Sequence, residues 1–325
     1  MIFSRDIGID LGTSTTLVAD QRGRIIINEP SVAAVDVKTK NVLATGVEAK
    51  KMIGRTPGSI VPVMPIREGV IADFDMTSDM LHDFMRRSSR RGMFTKTRVV
   101  VSVPCSITEV ERRAVEDAVR SAGAQEVELV EAPMAAALGA GLPVFEPTGS
   151  MIVDIGGGTC DIAVITLGNV ASCRSEKIGG DAFDNAIVEY MKKTHSLLIG
   201  DRTAEDIKLK LGSVAEYDGE AAMEVRGRQL EDGLPGSAEV TSADIREVLI
   251  PLADEIIVAI KETLEATLPE LAADILDRGI YLTGGGAKLR GLRDKIEEEI
   301  AIPVTVPDKC EECVAVGTSI QLRRG

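Results

Sequence analysis

A run of apolar residues leading into aspartate, glycine and threonine occurs twice in this chain, and the duplication restricts the fold more than any other feature. The first copy reads Ile7-Gly-Ile-Asp10-Leu-Gly12-Thr13-Ser14-Thr15 and continues into Thr16-Leu-Val18. The second reads Ile152-Val-Asp154-Ile-Gly156-Gly157-Gly158-Thr159 and continues into Cys160-Asp161-Ile-Ala-Val164. β-Branched and apolar residues resume after each turn, so each copy reads as strand, tight turn, strand. Glycine lets the backbone turn sharply and approach a ligand closely. Successive N–H groups of such a turn converge on an anion, and the Thr and Ser hydroxyls add donors. A carboxylate beside a phosphate needs a hard divalent cation or its waters in between, which gives Asp10 and Asp154 a metal-related role. One such turn alone is more often an ordinary hairpin. Two in the same phase point to related half-molecules closing on a single ligand.

A third element has similar form. Ile280-Tyr-Leu-Thr283 runs into Gly284-Gly285-Gly286-Ala287, and Lys288 to Ile296 then reads as a helix. Strands and helices alternate through both halves, which means α/β architecture. Met76, Met80, Leu81, Phe84 and Met85 form one helical face. Arg98 to Val103 is a buried strand by its β-branched run. Thr108-Glu-Val-Glu111 is a capping box opening a helix that stops at Gly123. Ala132 to Phe145, rich in Ala and Gly, reads as a packed helix, and another is expected from Ala182 to His195. Ile245, Val248, Leu249, Leu252, Ile256, Ile257, Ile260 and Leu264 line one side of a long amphipathic helix that Pro251 is expected to bend. Two stretches, about 31–64 and 201–240, look like short insertions.

With 325 residues, 44% of them hydrophobic, the chain has material for two cores of ordinary domain size. A net charge of -14 with 3% aromatic residues argues against a nucleic-acid-binding surface, which needs cationic and stacking groups. No uncharged apolar run reaches the length of a membrane span. The start of the chain passes straight into a strand with no signal peptide, so the five cysteines read as reduced cytosolic thiols. Cys310-Glu-Glu-Cys313 invites a metal or redox reading, but there is no second pair and the only histidines are His82 and His195. The plainer reading is two small, partly buried residues near a helix start. Against the acidic balance, Arg86 to Arg98 holds six positive charges and no negative one, with Met93 and Phe94 at its centre. By residues alone this is a solvated loop with two side chains folded back; the other reading is a lipid-facing segment.

The paired turns and the third glycine run resemble the ATPase pattern shared by actin, DnaK-type chaperones and sugar kinases. Within it, Asn28-Glu-Pro-Ser-Val32, Pro57-Gly58, Arg67-Glu-Gly-Val-Ile-Ala-Asp-Phe74, Val110-Glu-Arg-Arg-Ala114, Pro133-Met-Ala-Ala-Ala137 and Arg202-Thr-Ala-Glu205 closely resemble the MreB family of bacterial actins, including Mbl. The resemblance spans essentially the whole chain. It implies an actin-like fold, two related α/β domains with ribonuclease-H-like cores around a nucleotide cleft, each with a small insertion. Residues 1–31, 69–142 and 307–325 would form one large subdomain and 32–68 its small one. Residues 143–179 and 246–306 would form the second large subdomain and 180–245 its small one.

The resemblance also implies ATP and Mg2+ as cofactors. Gly12, Thr13, Ser14 and Thr15, with Gly156, Gly157, Gly158 and Thr159, would contact phosphate, and Asp10 and Asp154 would serve the metal. Gly284, Gly285, Gly286 and Ala287 would lie against the adenosine, with Glu205 and Lys208 flanking adenine and ribose; singly, either of these two also fits a solvated helix face. Glu131 matches the hydrolytic glutamate. Taken alone it would be an acid favoured by a helix dipole; beside both turns it reads as the group that orients the attacking water. The family more often has Glu-Glu-Pro where this chain has Glu131-Ala132-Pro133, which bears on hydrolysis rate. Met93 and Phe94 match the family's membrane-inserting loop, and Ile2 and Phe3 would be a smaller anchor, with binding strengthened by avidity in a polymer.

The implied function is an ATPase that forms filaments, as paired protofilaments, on the inner face of the cell membrane and organises rod-shape wall synthesis. Its implied partners are further copies of itself, the membrane surface and elongation proteins such as RodZ, MreC and MreD. Two alternatives share the core pattern. A sugar or acid kinase would need longer insertions to build a substrate pocket. A chaperone-like clamp would need a further domain beyond Gly325.

Overall fold

In the computed structural model, which describes residues 5–55, 58–88 and 97–324, both copies of the repeat form hairpins. The first turn joins strands Arg5–Leu11 and Thr15–Asp20; the second joins Ser150–Ile155 and Cys160–Thr166. Each hairpin gains a third antiparallel strand, Ile25–Pro30 in one half and Asn169–Glu176 in the other. On the other side of each leading strand, two more add in parallel: Thr97–Val103 and Glu126–Glu131 in the first sheet, Ile280–Thr283 and Val304–Thr305 in the second. The two five-stranded sheets thus share one strand order and one pattern of directions. The hairpins pair in the same register, but the residue facing the leading aspartate differs. Asp10 lies opposite Leu17, whereas Asp154 lies opposite Asp161.

Parallel strands need crossover connections, and the crossing helices cover the sheets. Val99, Val101 and Val103 pack with helix Phe74–Ser88, through Met80, Leu81, Phe84 and Met85, and with Val115 and Val119 of helix Glu109–Ser121. Val100, on the opposite face, packs with Ala135, Ala136 and Ala137. Burial on both faces is why this strand reads as an unbroken β-branched run. The capping box forms as expected: Thr108 Oγ1 accepts from the Glu111 N–H at 3.3 Å and the Glu111 carboxylate accepts from the Thr108 N–H at 2.9 Å.

Between the sheets lie two helices of small residues, Ala132–Gly139 and Cys313–Leu322. Their cluster draws on Val100 of the first sheet and on Ile152, Ala163 and Ile165 of the second, so it joins the two halves. A Cβ on Gly317 would collide with the Ala135 carbonyl, and one on Gly139 with the Cys313 carbonyl. The helices therefore touch backbone to backbone, and glycine, ordinarily a poor helix residue, is required by the approach. Cys310 and Cys313 are buried at the start of the second helix, where burial raises both thiol pKa values, to about 11 and about 12.

The interrupting stretches carry sheets of their own. Ala33–Asp36 pairs with Val42–Thr45 and Ile60–Val63, and Ala222–Gln229 pairs with Leu197–Leu198 and Pro235–Thr241. Two helix expectations are corrected. The Ala-rich helix closes at Gly139 because Gly141 turns left-handed (φ 79°) and Pro143 follows. The helix expected from Lys288 starts only at Leu292, after a 3-10 turn at Gly285–Lys288. The Arg290 guanidinium donates to the carbonyls of Leu209, Lys210 and Gly212, and Gly291 then turns left-handed (φ 78°) before the helix begins. Helix Ser242–Glu265 runs on through Pro251 as one element; Pro251 is exposed, so water can satisfy the carbonyl that the proline leaves without a donor.

Replacing Gly317 with Ala should force the central helices apart and cost about 1–3 kcal/mol, the usual range for overpacking a tight core. Thermal unfolding of the variant at neutral pH checks this; an unchanged midpoint would mean that the helix pair can part without loss.

Candidate functional site

In each sheet the leading strand and its parallel neighbours end at one edge, where a ligand site normally forms in an α/β sheet. Here both edges face a single cavity of about 640 Å3, within the range of pockets that hold a cofactor-sized molecule. The first turn borders it with Gly12, Thr13, Ser14 and Thr15, and the second with Gly156, Gly157, Gly158 and Thr159. Gly284, Gly285 and Gly286 of the third turn, Asp10, Asp154, Glu205 and Lys208 also line it. Ala287 departs from the expectation. Its side chain is 5% exposed and packs in the core of the second half, because the 3-10 turn at Gly285–Lys288 rotates it inward. Glu131 is the N-cap residue of Ala132–Gly139, without a side-chain capping bond, and the adjoining Ala132 borders the cavity. Ile2, Phe3, Met93 and Phe94 lie outside the described residues.

The two hairpin turns meet. A Cβ on Gly157 would strike the Ser14 hydroxyl, and one on Gly158 the Thr13 hydroxyl. Ser14 Oγ also donates to Asp181 of the second half at 3.1 Å. The third turn folds onto the end of strand Ser150–Ile155, where Gly284 (φ 81°) lies against the Ile155 carbonyl. Glycine-rich turns of both sheets thus border one space, and such turns are where backbone N–H groups can bind an anion.

The walls carry opposing charge demands. Ser102 Oγ donates to Asp10 at 3.0 Å and Thr283 Oγ1 to Asp154 at 2.8 Å. Burial raises the Asp10 pKa to about 6. Burial, reinforced by the Asp10 charge, raises that of Asp154 to about 7. The two carboxylates therefore sense each other in a confined space that favours a cation between them. Asp161, 2% exposed, receives hydrogen bonds from Thr159 Oγ1 at 3.1 Å and Cys105 Sγ at 3.5 Å.

Several cavity residues escape a sequence reading. Asp181 and Asp184 begin helix Gly180–His195, and burial pushes both carboxyls up, Asp184 to about 6. The Gly179-Gly180-Asp181 run after a strand is a signal that could have marked them. Lys208 pairs with Asp184 at 2.8 Å and donates to the Gly180 carbonyl at 2.9 Å. Lys50 reaches from the first half to Glu205 at 2.7 Å and closes one side of the cleft. Its partner is 155 residues away, so no local pattern reveals the pair.

Comparison with known proteins agrees with this geometry. A family model described as MreB/Mbl protein matches residues 4–324. The cell shape-determining protein Mbl of Bacillus subtilis (strain 168) is 46% identical over 321 residues, covering 99% of this chain and 96% of that protein. The crystal structure of MreB5 of Spiroplasma citri bound to ADP superposes with a TM-score of 0.94 at 36% identity, over 100% of this chain and 98% of that one. A MamK double helical filament shares the fold, with a TM-score of 0.84 at 21% identity over 99% of both chains.

Because folding raises the pKa of Asp10 and Asp154, the folded protein takes up protons that the unfolded chain does not. Their penalty is fully felt above about pH 8 and is relieved progressively as pH falls through 7 and 6 toward the ordinary carboxylate range. The ligand-free protein should therefore gain roughly 2–3 kcal/mol between pH 8 and pH 5.5, most of it from Asp154, and Asp154→Asn should gain visibly less. Denaturant melts at the two pH values test this; equal gains in both proteins would remove Asp154 as a buried titrating group.

Proposed function

The chain belongs to the MreB/Mbl family, and from that membership we propose that it is an actin-like ATPase that polymerises on the inner face of the cell membrane and organises rod-shape wall synthesis. The observation that carries this reading is the meeting of two Asp-Gly-Thr turns, one from each sheet, at one cavity. The ADP held by the related MreB5 supports a nucleotide as the occupant. We assign the phosphates to Gly12–Thr15 and Gly156–Thr159 and the adenosine side to Gly284–Gly286. Glu205 and Lys208 flank it, and Ala287 contributes only backbone. The subdomain division given above for 1–31, 32–68, 69–142, 143–179, 180–245, 246–306 and 307–325 belongs to the same reading.

Asp10 and Asp154 suit magnesium. Each has one oxygen engaged by a hydroxyl. Among the described residues no three acidic, Cys or His side chains are grouped as a metal cage, which accords with an ion that takes one or two carboxylates and completes its shell with phosphate oxygens and water. When bound, it would offset the charge between phosphate and the two aspartates. Glu131 sits at the N-cap without a side-chain capping bond, which leaves its carboxylate for another role: orienting a water for attack on the terminal phosphate. The cavity wall is apolar at Ala132, which removes a second charge that could share that task.

Filament assembly draws support from the fold it shares with the MamK double helical filament. No helix of the described residues is long and apolar enough to cross a membrane. Membrane attachment is assigned to Met93 and Phe94 within the basic run, aided by Ile2 and Phe3, with the apolar pair inserting and the Arg and Lys charges attracting anionic headgroups.

Glu131→Ala should keep ATP affinity and assembly yet release phosphate about tenfold more slowly or worse; a parental rate in a phosphate-release assay would move the catalytic group elsewhere. Sedimentation with ATP and anionic liposomes tests the rest. The parent should pellet with ATP and co-sediment with vesicles, while a Met93→Ser, Phe94→Ser double variant should pellet with ATP and leave the vesicles bare. Vesicle binding equal to the parent's would shift attachment to another segment.

A further inference from the structure

The small hairpin Ile66–Arg67 with Val70–Ile71 turns through Glu68 and Gly69, and both residues are left-handed, at φ 48° and 77°. Two positive φ values give a two-residue loop the twist a hairpin needs, but Asn, Asp or Gly usually fills the first place. A glutamate there meets a steric penalty that persists only where its surroundings fix it.

The surroundings here come from both sides of the cleft. The Gly69 N–H donates to Thr13 Oγ1 at 2.9 Å, and Gly69 lies against Pro104 and the Thr159 methyl. Gly158 is so near the tip that a Cβ on it would come within 3.0 Å of the Glu68 N and Cα. The tip therefore touches both glycine turns. From it the Glu68 side chain reaches the second half, with Oε2 at 2.5 Å from Lys177 Nζ. Lys177 directly follows strand Asn169–Glu176 and leads to Gly180 and Asp181 in the cavity wall. Its charge also acts on Glu111 of helix Glu109–Ser121, so it faces two carboxylates of the first half.

The geometry points to a strap: the Glu68–Gly69 tip and the Glu68–Lys177 pair hold the two turns at a fixed spacing, which makes Glu68 and Lys177 positioning residues for a bound triphosphate. This rests on the nucleotide reading given above. Both side chains are largely exposed, 53% for Glu68 and 74% for Lys177, so the pair adds little to folding stability. Its effect falls on the relative placement of turns that already touch.

Lys177→Glu sets a like charge opposite Glu68 and Glu111. In the nucleotide-free protein, amide hydrogen exchange across residues 66–71 and 156–159 should rise about threefold, with the unfolding midpoint unchanged. A fluorescent ATP analogue should dissociate about threefold faster, and the exchanged pair Glu68→Lys with Lys177→Glu should restore most of both effects. Parental amide exchange in Lys177→Glu refutes the strap whatever the analogue does. Failure of the exchanged pair to recover also overturns it, since the single changes would then act by local damage. If exchange rises and the exchanged pair restores it while the parent binds no analogue, the strap stands and the nucleotide assignment falls.

Discussion

Gly317 against the Ala135 carbonyl, and Gly139 against that of Cys313, bring two helices into backbone contact at the centre of the molecule. The rest of the arrangement depends on that closeness. Each sheet has its own hydrophobic cluster on the outer side, but the inner faces share one cluster built on this helix pair. Larger side chains there would separate the sheets and with them the turns, whose hydroxyls and glycines now touch. Close packing transmits such a change because interiors have few voids to absorb it. The alanine-rich composition of the central helix thus serves a spacing requirement as well as helix propensity.

At the cleft the fold gathers acids that would prefer water. Asp10, Asp154, Asp161, Asp181 and Asp184 all have raised pKa values, burial being the leading cause in each. Such perturbation by desolvation and neighbouring charge, in a cavity, is characteristic of functional sites. It also creates a dependence. The same carboxylates that oppose folding of the empty protein at neutral pH would favour a cation-bearing ligand, so the unfavourable electrostatics of the empty cleft become a source of affinity. Hydroxyls from neighbouring strands, Ser102 and Thr283, moderate the cost without removing it.

Features written in consecutive residues were legible in the sequence. The hairpin turns were readable because aspartate, glycine and threonine are set by local backbone geometry, and the strand around Val100 because both of its faces are buried. The capping box at Thr108 and Glu111 is equally local. What escaped depends on distant partners. The helix after the third turn starts late because Arg290 bonds to carbonyls of a preceding helix, and Ala287 turns inward for the same segment's geometry. The Lys50–Glu205 and Glu68–Lys177 pairs cross the cleft, and nothing near either residue in sequence announces its partner. Asp181 and Asp184 were within reach, since a double glycine preceding an acidic helix start follows the logic of the other turns.

The two hairpins share a register, but the residue facing the leading aspartate is Leu17 in one and Asp161 in the other, and both border the cavity. Two halves of equal topology would present a ligand with two nearly equivalent ways to lie. An aliphatic group on one side and a buried carboxylate on the other remove that equivalence, since a polyanion pays a different electrostatic cost in each orientation. The repeated hairpin makes a two-sided cradle, and the aliphatic Leu17 in one half and the buried Asp161 in the other make its two sides electrostatically unlike.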